Sequence, residues 1–574
     1  MFQERYIPSS AALIESPIAR QIWQSKYRYK SKGRNIDRVI SDTWLRVASA
    51  LAKSEAPSKR EMVTNTFFDA MRSYKLLPGG RILAGAGTKR SITLCNTFVM
   101  REIPDSVEGI MDVAKQAALT MKMGGGIGFD FSTIRPRGGY VSGLDCPAAG
   151  PVSAMEICDA VCKMVVSGMG RGAMMATLRC DHPDIEAFVN AKSDPAMLRN
   201  FNVSVLVSDK FMQAVERGET WDLTWNDVVI RQIDAQKLWH LIMQRNYEAA
   251  EPGVLFIDRI NDGNALNYLE QISATNSCAE QPLPPNGACP LASINLARFV
   301  RHPFERNSVL DIEELRSHVS IAVRLLDNVL EVSDFAVEEQ RDEVNAKRRI
   351  GIGVTGLADA LIMLGLRYGS QSAVEATERW MRVLQNAAYT ASARLAEERG
   401  AFPLYSAAKH LKQPTIQNLD PETRRAIIQN GLRNGLLTTI APTGTTSMYA
   451  GNVSSGIEPV FAFSFKRLIG NPDGTKSVVE IEDYALSLFR KMRGRDAELT
   501  EAFVTSQDLT PSDHVAMQAA AQKWVDSGIS KTVNCPEDIS FESFKDIYAQ
   551  AYASGCKGCT TFRPNDITGS ILSV

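Results

Sequence analysis

The sequence predicts an α/β protein, a large β/α core preceded by a helical segment. Three observations carry that expectation. Residues 16 to 75, which include "RVISDTWLRVASALAKSEAPSKREMVTNTFFDAMRSYKLL", place apolar residues at helical spacing. Beyond them, short β-like runs alternate with longer helical stretches, the pattern of parallel β/α units. The 574 residues contain no fixed-period repeat, low-complexity tract or long linker, which favours one large core over a string of modules.

Taken in order, the helical region is expected over residues 1–90 and the catalytic domain over 91–574. "LPGGRILAGAG" breaks the helical pattern between them, because glycine and proline punctuate regular structure. The β-like runs "ITLCNTFVM", "NVSVLVS", "GVLFID", "RIGIGVTG" and "GLLTTIAP" come after it. Among the helices, "LDIEELRSHVSIAVRLLDNVLEVS" carries Asp311 as its cap and Glu314 three residues on. "SAVEATERWMRVLQNAAYTASARLAEERG" ends at Gly400, where a helix-closing glycine belongs. The glycines of "MKMGGGIGFDFSTIRPRGG" permit tight turns and by themselves indicate no function.

"LLTTIAPTGTTSMYAG" reads as a strand over 436–441 that runs into Pro442, Thr443, Gly444, Thr445, Thr446 and Ser447 and then a helix. Free backbone amides, hydroxyls and the positive end of a helix would face one point, which suits a phosphate. A hydroxyl-rich helix cap accounts for the same pattern equally well. No GK[ST] is present after it, so this is not a Walker loop.

Charge narrows the partners. With 64 Lys+Arg against 65 Asp+Glu the net charge is -1, which offers no electrostatic footprint for nucleic acid or an anionic membrane. No apolar run approaches the roughly 18 residues of a membrane span. The start "MFQERYIPSSAALIESPIARQ" is charged and interrupted by proline, unlike a secretory signal, so a cytoplasmic enzyme acting on small molecules is expected. Ten cysteines are too few for a disulfide scaffold of this length. Cys146, Cys158 and Cys162 lie in or beside an apolar stretch and read as small core hydrophobes. Cys556 and Cys559 in "GCKGC" form a close pair, but no second such pair or His pair accompanies them, which argues against zinc.

"ATNSCAEQPLPPNGACPLASINL" holds the densest chemistry. In extended backbone Asn276, Cys278 and Glu280 would share a face, and Pro282, Pro284 and Pro285 would keep the next residues out of helix. The carboxylate could serve as general base, the thiol as nucleophile or hydrogen-atom donor, and the amide as an orienting group. Taken locally, a polar loop with a buried cysteine explains the stretch as well.

The wider context resembles the catalytic subunit of ribonucleotide reductase, particularly the class II enzymes that use adenosylcobalamin. The similarity runs from "ERYIPSSAALIESPIARQIWQSKYRYK" to "GCKGCTTFRPND" through "IPDSVEGI", "GGGIGFDFSTIRPRG", "RGAMMATLRCDHPDIEAF", "NFNVSVLVSDKFM", "NSCAEQPLPPNGACPLASINL", "APTGTTSMYAGNVSSGIEPVFAF" and "ISKTVNCPEDIS", in the family's order. It implies a ten-stranded α/β barrel with the thiol on a finger loop through its centre. It implies a thiyl-radical role for Cys278, a base at the 3′-hydroxyl in Glu280 and a ribose-orienting amide in Asn276. Cys289 resembles one member of the reducing pair that becomes a disulfide each turnover. Many relatives place the other directly before the aromatic-Val pair, where this chain has Thr97; Cys95, two residues earlier, is the expected partner.

The resemblance also implies that Thr443, Gly444, Thr445, Thr446 and Ser447 bind the substrate phosphate. Asp105 and Arg135 become candidates for a deoxynucleotide effector at a homodimer interface. The segment 193–202 would transmit the effector's identity, with Arg199 nearest the substrate base. A thioredoxin-like protein or another thiol is the implied reductant, and diphosphates are the implied substrates.

The tyrosine pair of class I is replaced by Thr560 and Thr561, and no glycyl-radical motif or four-cysteine site lies beyond them, which leaves adenosylcobalamin as the radical source. The short N-terminal region suggests no overall-activity ATP domain, and no cysteine tail is evident. A DxHxxG cobalt-ligating motif is absent. Two alternatives stand beside this reading: a class I-type large subunit that needs a separate radical-generating partner, and an inactive nucleotide-binding paralogue or regulator.

Overall fold

The computed structural model describes residues 16–565 except 142–144, 168, 169, 172, 195 and 471–475. The N-terminal region forms the helices Pro17–Ile22, Ile40–Leu51 and Arg60–Arg72. Trp44, Val47, Ala48 and Leu51 of the second helix and Val63, Phe67, Ala70 and Met71 of the third are buried. The Trp44 ring meets Tyr74 edge-on at 5.4 Å. Each such large apolar side chain contributes roughly 1.5–3 kcal/mol, so packing rather than helix propensity holds this region together.

Eight strands share one sheet, in the order Ala288–Cys289, Thr97–Val99, Gly126–Asp130, Met174–Arg179, Phe201–Val207, Gly253–Phe256, Gly558–Phe562 and Thr532–Asn534. The five from Thr97–Val99 to Gly253–Phe256 are mutually parallel. Antiparallel pairings flank them, to Ala288–Cys289 at one end and Gly558–Phe562 at the other. Leu291–Asn295 runs parallel to Gly351–Thr355 and antiparallel to Leu76–Pro78 in a second sheet. Ten strands in one barrel are expected from the sequence; among the described residues the pairings instead form separate ladders of eight and three. Two local features interrupt a single ring. Pro290 has no amide hydrogen and separates Ala288–Cys289 from Leu291–Asn295. The expected strand at 436–441 forms no continuous ladder: bridges join Ile352 to Thr438 and Ile440 to Ile529, with further backbone hydrogen bonds on both sides, from the Ile352 amide to the Leu437 carbonyl at 2.8 Å and from the Ser530 amide to the Ile440 carbonyl at 2.9 Å.

The two long helices fall where their caps place them. Ile312–Val332 starts at Asp311, whose carboxylate accepts from the Glu314 amide at 2.9 Å, and Gln371–Arg399 ends at Gly400 with φ +83°. Cys158 and Cys162 are buried in the helix Pro151–Met164, as expected. Cys146 is not a core residue: it lies exposed on the two-residue strand Cys146–Pro147, outside that helix. Among the described residues no helix is long and apolar enough to cross a membrane.

Candidate active site

Asn276, Cys278 and Glu280 sit on a hairpin whose strands, Ala274–Thr275 and Pro282–Leu283, pair antiparallel. The backbone between them is a tight turn, not the extended chain expected from the alternation. The Asn276 amide donates to the Gln281 carbonyl at 3.1 Å, the Ala279 amide to the Asn276 carbonyl at 3.2 Å, and Ala279 has φ +64°. The Gln281 amide donates to Asn276 Oδ1 at 2.9 Å. The turn therefore places Cys278 at its tip, and the Asn276 side chain reaches the Glu280 carboxyl across its base.

Surrounding strands grip this hairpin through missing side chains. A Cβ on Gly128 would lie 1.7 Å from the Thr275 carbonyl oxygen, one on Gly528 2.4 Å from that of Ala279, and one on Gly126 3.0 Å from Ser277 Oγ. The Gly528 amide and Thr439 Oγ1 donate to the Glu280 carbonyl at 2.9 and 2.6 Å. Asn202 Nδ2 donates to the Ser277 carbonyl at 2.7 Å. The "GGGIG" glycines thus have a structural role that their sequence pattern left open.

Burial sets the protonation of the hairpin's groups. Glu280 is 3% exposed, and burial pushes its pKa up to about 7 against the opposing Asn276 hydrogen bond. Its Oε2 has no hydrogen-bond partner among the described residues. Burial and then the neighbouring Glu280 charge push the Cys278 thiol up to about 12. Cys278 presents surface to cavities, and the protein around it disfavours the thiolate. The sulfur is accordingly a neutral thiol near pH 7, unsuited to thiolate attack.

Ser277, Cys278 and Pro442 line two cavities, of about 350 and 280 Å³. The larger also contains Asn276, Glu280 and the loop Thr443, Gly444, Thr445 and Thr446. Thr443, with φ +49°, caps the short helix Gly444–Tyr449. Its hydroxyl accepts from the Gly456 amide at 2.8 Å and lies 3.0 Å from Thr355 Oγ1. Space is open beside Gly444. Ser447 turns away from this cavity, its hydroxyl 3.0 Å from Ser455 Oγ.

The candidate thiol pair is close but not face to face. Thr97, not Cys95, stands opposite Cys289 in the antiparallel register, and its hydroxyl donates to the Cys289 carbonyl at 2.9 Å. Cys95 precedes that strand, buried, with its sulfur 3.9 Å from Ser333 Oγ. Burial and then the proximity of Cys95 raise the Cys289 pKa well above that of an ordinary thiol. Neither thiol lines the larger cavity. Cys556 and Cys559 are buried, and Cys559 is held in the sheet opposite Val254.

Arg135 Nε lies 2.6 Å from Asp105 Oδ2, and its Nη1 donates to the Tyr140 carbonyl at 2.8 Å, so the two candidate effector residues pair with each other. Arg199 is exposed on a separate segment, next to Asn200, whose amides donate to Asp159 at 3.0 and 3.2 Å. Residues not singled out from sequence complete the cavities: Tyr27, Arg81 and Asn96 in the larger, Lys531 and Lys557 in the smaller. The Lys531 side chain is fully buried, 2.6 Å from Glu458 and 2.8 Å from His514 Nδ1. Among the described residues no cluster of His, Cys, Asp and Glu could hold a metal ion.

Comparison with known proteins agrees with this geometry. Residues 95–562 match the family description "Ribonucleotide reductase, barrel domain" and residues 15–91 match "Ribonucleotide reductase, all-alpha domain". The chain is 34% identical to the vitamin B12-dependent ribonucleoside-diphosphate reductase of Thermoplasma acidophilum, over 99% of this chain and 73% of that protein. It is 35% identical to the vitamin B12-dependent ribonucleoside-diphosphate reductase of Mycobacterium tuberculosis, over 93% and 77%. A ribonucleoside-diphosphate reductase subunit alpha of Chlamydia pneumoniae is 26% identical, over 90% and 56%. The chain belongs to the ribonucleotide reductase family, among its class II catalytic subunits.

Proposed function

We propose that this chain reduces ribonucleotides, as diphosphates, to 2′-deoxyribonucleotides by thiyl-radical chemistry, with adenosylcobalamin as the radical source. The observation that carries the reading is Cys278, a neutral thiol at the tip of a clamped hairpin, with Glu280 and Asn276 at its base and cavities on two sides. The second cavity has a mixed lining, apolar residues such as Val254, Leu255 and Ile529 together with Gln518, Lys531 and Lys557, which suits the nucleoside portion of the cofactor. When bound, the cofactor supplies the oxidising equivalent that removes the hydrogen atom of Cys278.

The protein's own groups do the rest. The Cys278 thiyl radical takes the ribose 3′ hydrogen atom and returns it at the end. Glu280, which titrates near neutral pH, accepts the 3′-hydroxyl proton in its ionised form while Asn276 orients the ribose hydroxyls. Replacing the 2′-hydroxyl by hydrogen, with its loss as water, takes up two protons and two electrons. Cys289 and Cys95 provide both as their two thiols become a disulfide, Glu280 returns the proton it accepted, and a thioredoxin-like protein or another thiol then reduces the disulfide. The phosphates sit at Thr443, Gly444, Thr445 and Thr446, with Ser447 supporting the loop through Ser455.

The pairings support a ten-stranded barrel over 91–574 behind a helical region over 1–90. Leu291–Asn295 continues Ala288–Cys289 past Pro290, while the bridges at Thr438 and Ile440 link Gly351–Thr355 to the segment before Thr532–Asn534. A homodimer is supported by exposed Val107, Met111 and Leu119 on the helix Val107–Lys122 and exposed Ile157 and Met164 on its neighbour Pro151–Met164. The proposed deoxynucleotide effector would bind there at Asp105 and Arg135 and act on the substrate base through Arg199. A cytoplasmic setting accords with free thiols.

The test is an anaerobic assay of the chain alone with adenosylcobalamin, dithiothreitol and each ribonucleoside diphosphate. Deoxyribonucleotide is the expected product. Formation only after addition of a second, radical-generating protein would refute the cofactor assignment, and no product under either condition would refute the reductase reading.

A further inference from the structure

The larger cavity has a third wall that neither the hairpin nor the hydroxyl-rich loop provides. It comes from Lys26 and Tyr27, just after the helix Pro17–Ile22, and from "PGGR". Arg81 lies on the short helix Gly80–Gly85, and among the described residues its guanidinium has no hydrogen-bond or ion-pair partner. Gly124, with φ +101°, makes room for it: a Cβ there would lie 3.0 Å from Arg81 Nε and 3.2 Å from Cζ. Beside it, the Tyr27 hydroxyl is buried without a partner although the residue is only 1% exposed. Asn96 Oδ1 is likewise orphaned, at a place where a Cβ on Gly79 would lie 2.8 Å away.

Three orphaned polar groups around one cavity need an explanation, because buried polar groups are normally hydrogen-bonded. Solvent alone would leave an arginine recessed against a glycine loop without a counter-charge. The Tyr27 ring packs edge-on against Tyr449 at 5.1 Å, and Tyr449 belongs to the helix that Thr443 caps. Tyr27 is therefore braced on the element that carries Gly444, Thr445 and Thr446. The charged residues lining the cavity are Lys26 and Arg81 against Glu280, an arrangement that favours an anionic ligand.

We infer that Arg81, assisted by the Tyr27 hydroxyl, binds the phosphate groups of the ribonucleoside diphosphate opposite the Thr443–Thr446 loop, so that the N-terminal helical region completes the substrate site. This rests on the proposed reductase reading and adds to it the group that recognises the phosphates. A planar guanidinium matches phosphate oxygens in a way that a loop of amides and hydroxyls does not, and it supplies charge where the loop supplies only dipoles. The orphaned Asn96 oxygen, which can only accept, faces the hydroxyl-bearing part of the nucleotide.

The test is calorimetric titration of the full chain, without cofactor, with a ribonucleoside diphosphate and with the matching ribonucleoside. Arg81→Ala is expected to weaken diphosphate binding by about tenfold or more, the scale of one charge-assisted hydrogen bond, and to leave ribonucleoside binding unchanged. Arg81→Lys should restore part of the loss, and Tyr27→Phe should show a smaller loss confined to the diphosphate. In turnover, Arg81→Ala should raise KM and spare kcat. If Arg81→Ala does not fold, the Arg81→Lys and Tyr27→Phe titrations decide: diphosphate-specific weakening supports the inference, and parental binding in both overturns it. Equal binding of the diphosphate by the parent and Arg81→Ala overturns it, as does equal weakening of diphosphate and ribonucleoside. A parent that binds diphosphate through Arg81 but forms no deoxyribonucleotide supports this inference and sinks the reductase reading; a parent that binds no diphosphate sinks both.

Discussion

Gly128→Ala should disable the enzyme with little effect on its fold. Gly128 lies inside the sheet, paired with Val99 on one side and Met175 on the other, and its carbonyl accepts from the Met100 amide at 2.9 Å. The strand is thus fixed by both neighbours, and the hairpin must give way. A methyl group there would sit 1.7 Å from the Thr275 oxygen. Carbon–oxygen contacts settle near 3.3 Å, so the hairpin backbone must retreat by about 1.6 Å. Cys278 comes three residues later on the same turn, and a misplacement of about 1 Å near reacting atoms costs on the order of 100-fold in rate. Overpacking should remove about 1–3 kcal/mol of stability. Gly365→Ala is the control: nothing lies within 4 Å of its Cβ, but its φ of +73° makes the substitution strained, so it should lose about 1–2 kcal/mol without moving the hairpin. The assay is anaerobic turnover of both variants beside their thermal unfolding. If Gly128→Ala turned over within about threefold of the parent, the clamp argument would fail, since that leaves no room for a displaced thiol.

The same geometry sets three further outcomes. Glu280 has its pKa raised from 4.5 to about 7, so the folded protein keeps a proton that the unfolded chain releases; the contribution of this group to stability is fully present below 4.5 and falls by about 3 kcal/mol as pH rises to about 7, while kcat/KM rises through the upper part of that interval. Glu280→Gln should flatten the stability slope in chemical unfolding between pH 5 and 8, and parallel curves for the two proteins would count against it. Thr97→Cys places a thiol directly opposite Cys289, at a cross-strand Cβ spacing of about 5 Å, near the separation a disulfide needs. Its bond to Cys289, mapped by mass spectrometry after mild oxidation, should form faster than any Cys95–Cys289 bond in the parent; equal rates would show that register does not control access. Cys556→Ser/Cys559→Ser should keep turnover with both dithiothreitol and thioredoxin, because both thiols are locked in the core, whereas selective loss with thioredoxin would make the pair a shuttle.

Local structure was legible where capping chemistry is explicit. Asp311 and Gly400 mark helix ends through groups that satisfy terminal amides or accept positive φ, and both helices form there. The turn at Asn276 to Gln281 left no such mark: its left-handed residue is Ala279, not a glycine, so the alternation of polar groups resembled a strand. Thr443 was legible as the start of a helix, but the rotation of Ser447 toward Ser455 depends on a loop eight residues later. Arg81 and Tyr27 could not be read as site residues, because they lie far before Cys278 in the chain and become neighbours only through the sheet and the packing of Tyr27 on Tyr449. Cys95 was placed on the strand by its β-like surroundings, yet pairing begins only at Thr97.

Because Ser277, Cys278 and Pro442 border both recesses, the proposed chemistry makes the sulfur atom a relay set in a partition. Whatever starts the chemistry on one side needs to share only that atom with the nucleotide on the other. The initiating side can therefore be reshaped without retooling the recognition of ribose and phosphate, and a nucleotide can enter or leave without disturbing the starter. Such insulation gives one nucleotide-handling chamber the freedom to be driven by different engines, provided each can reach the same sulfur.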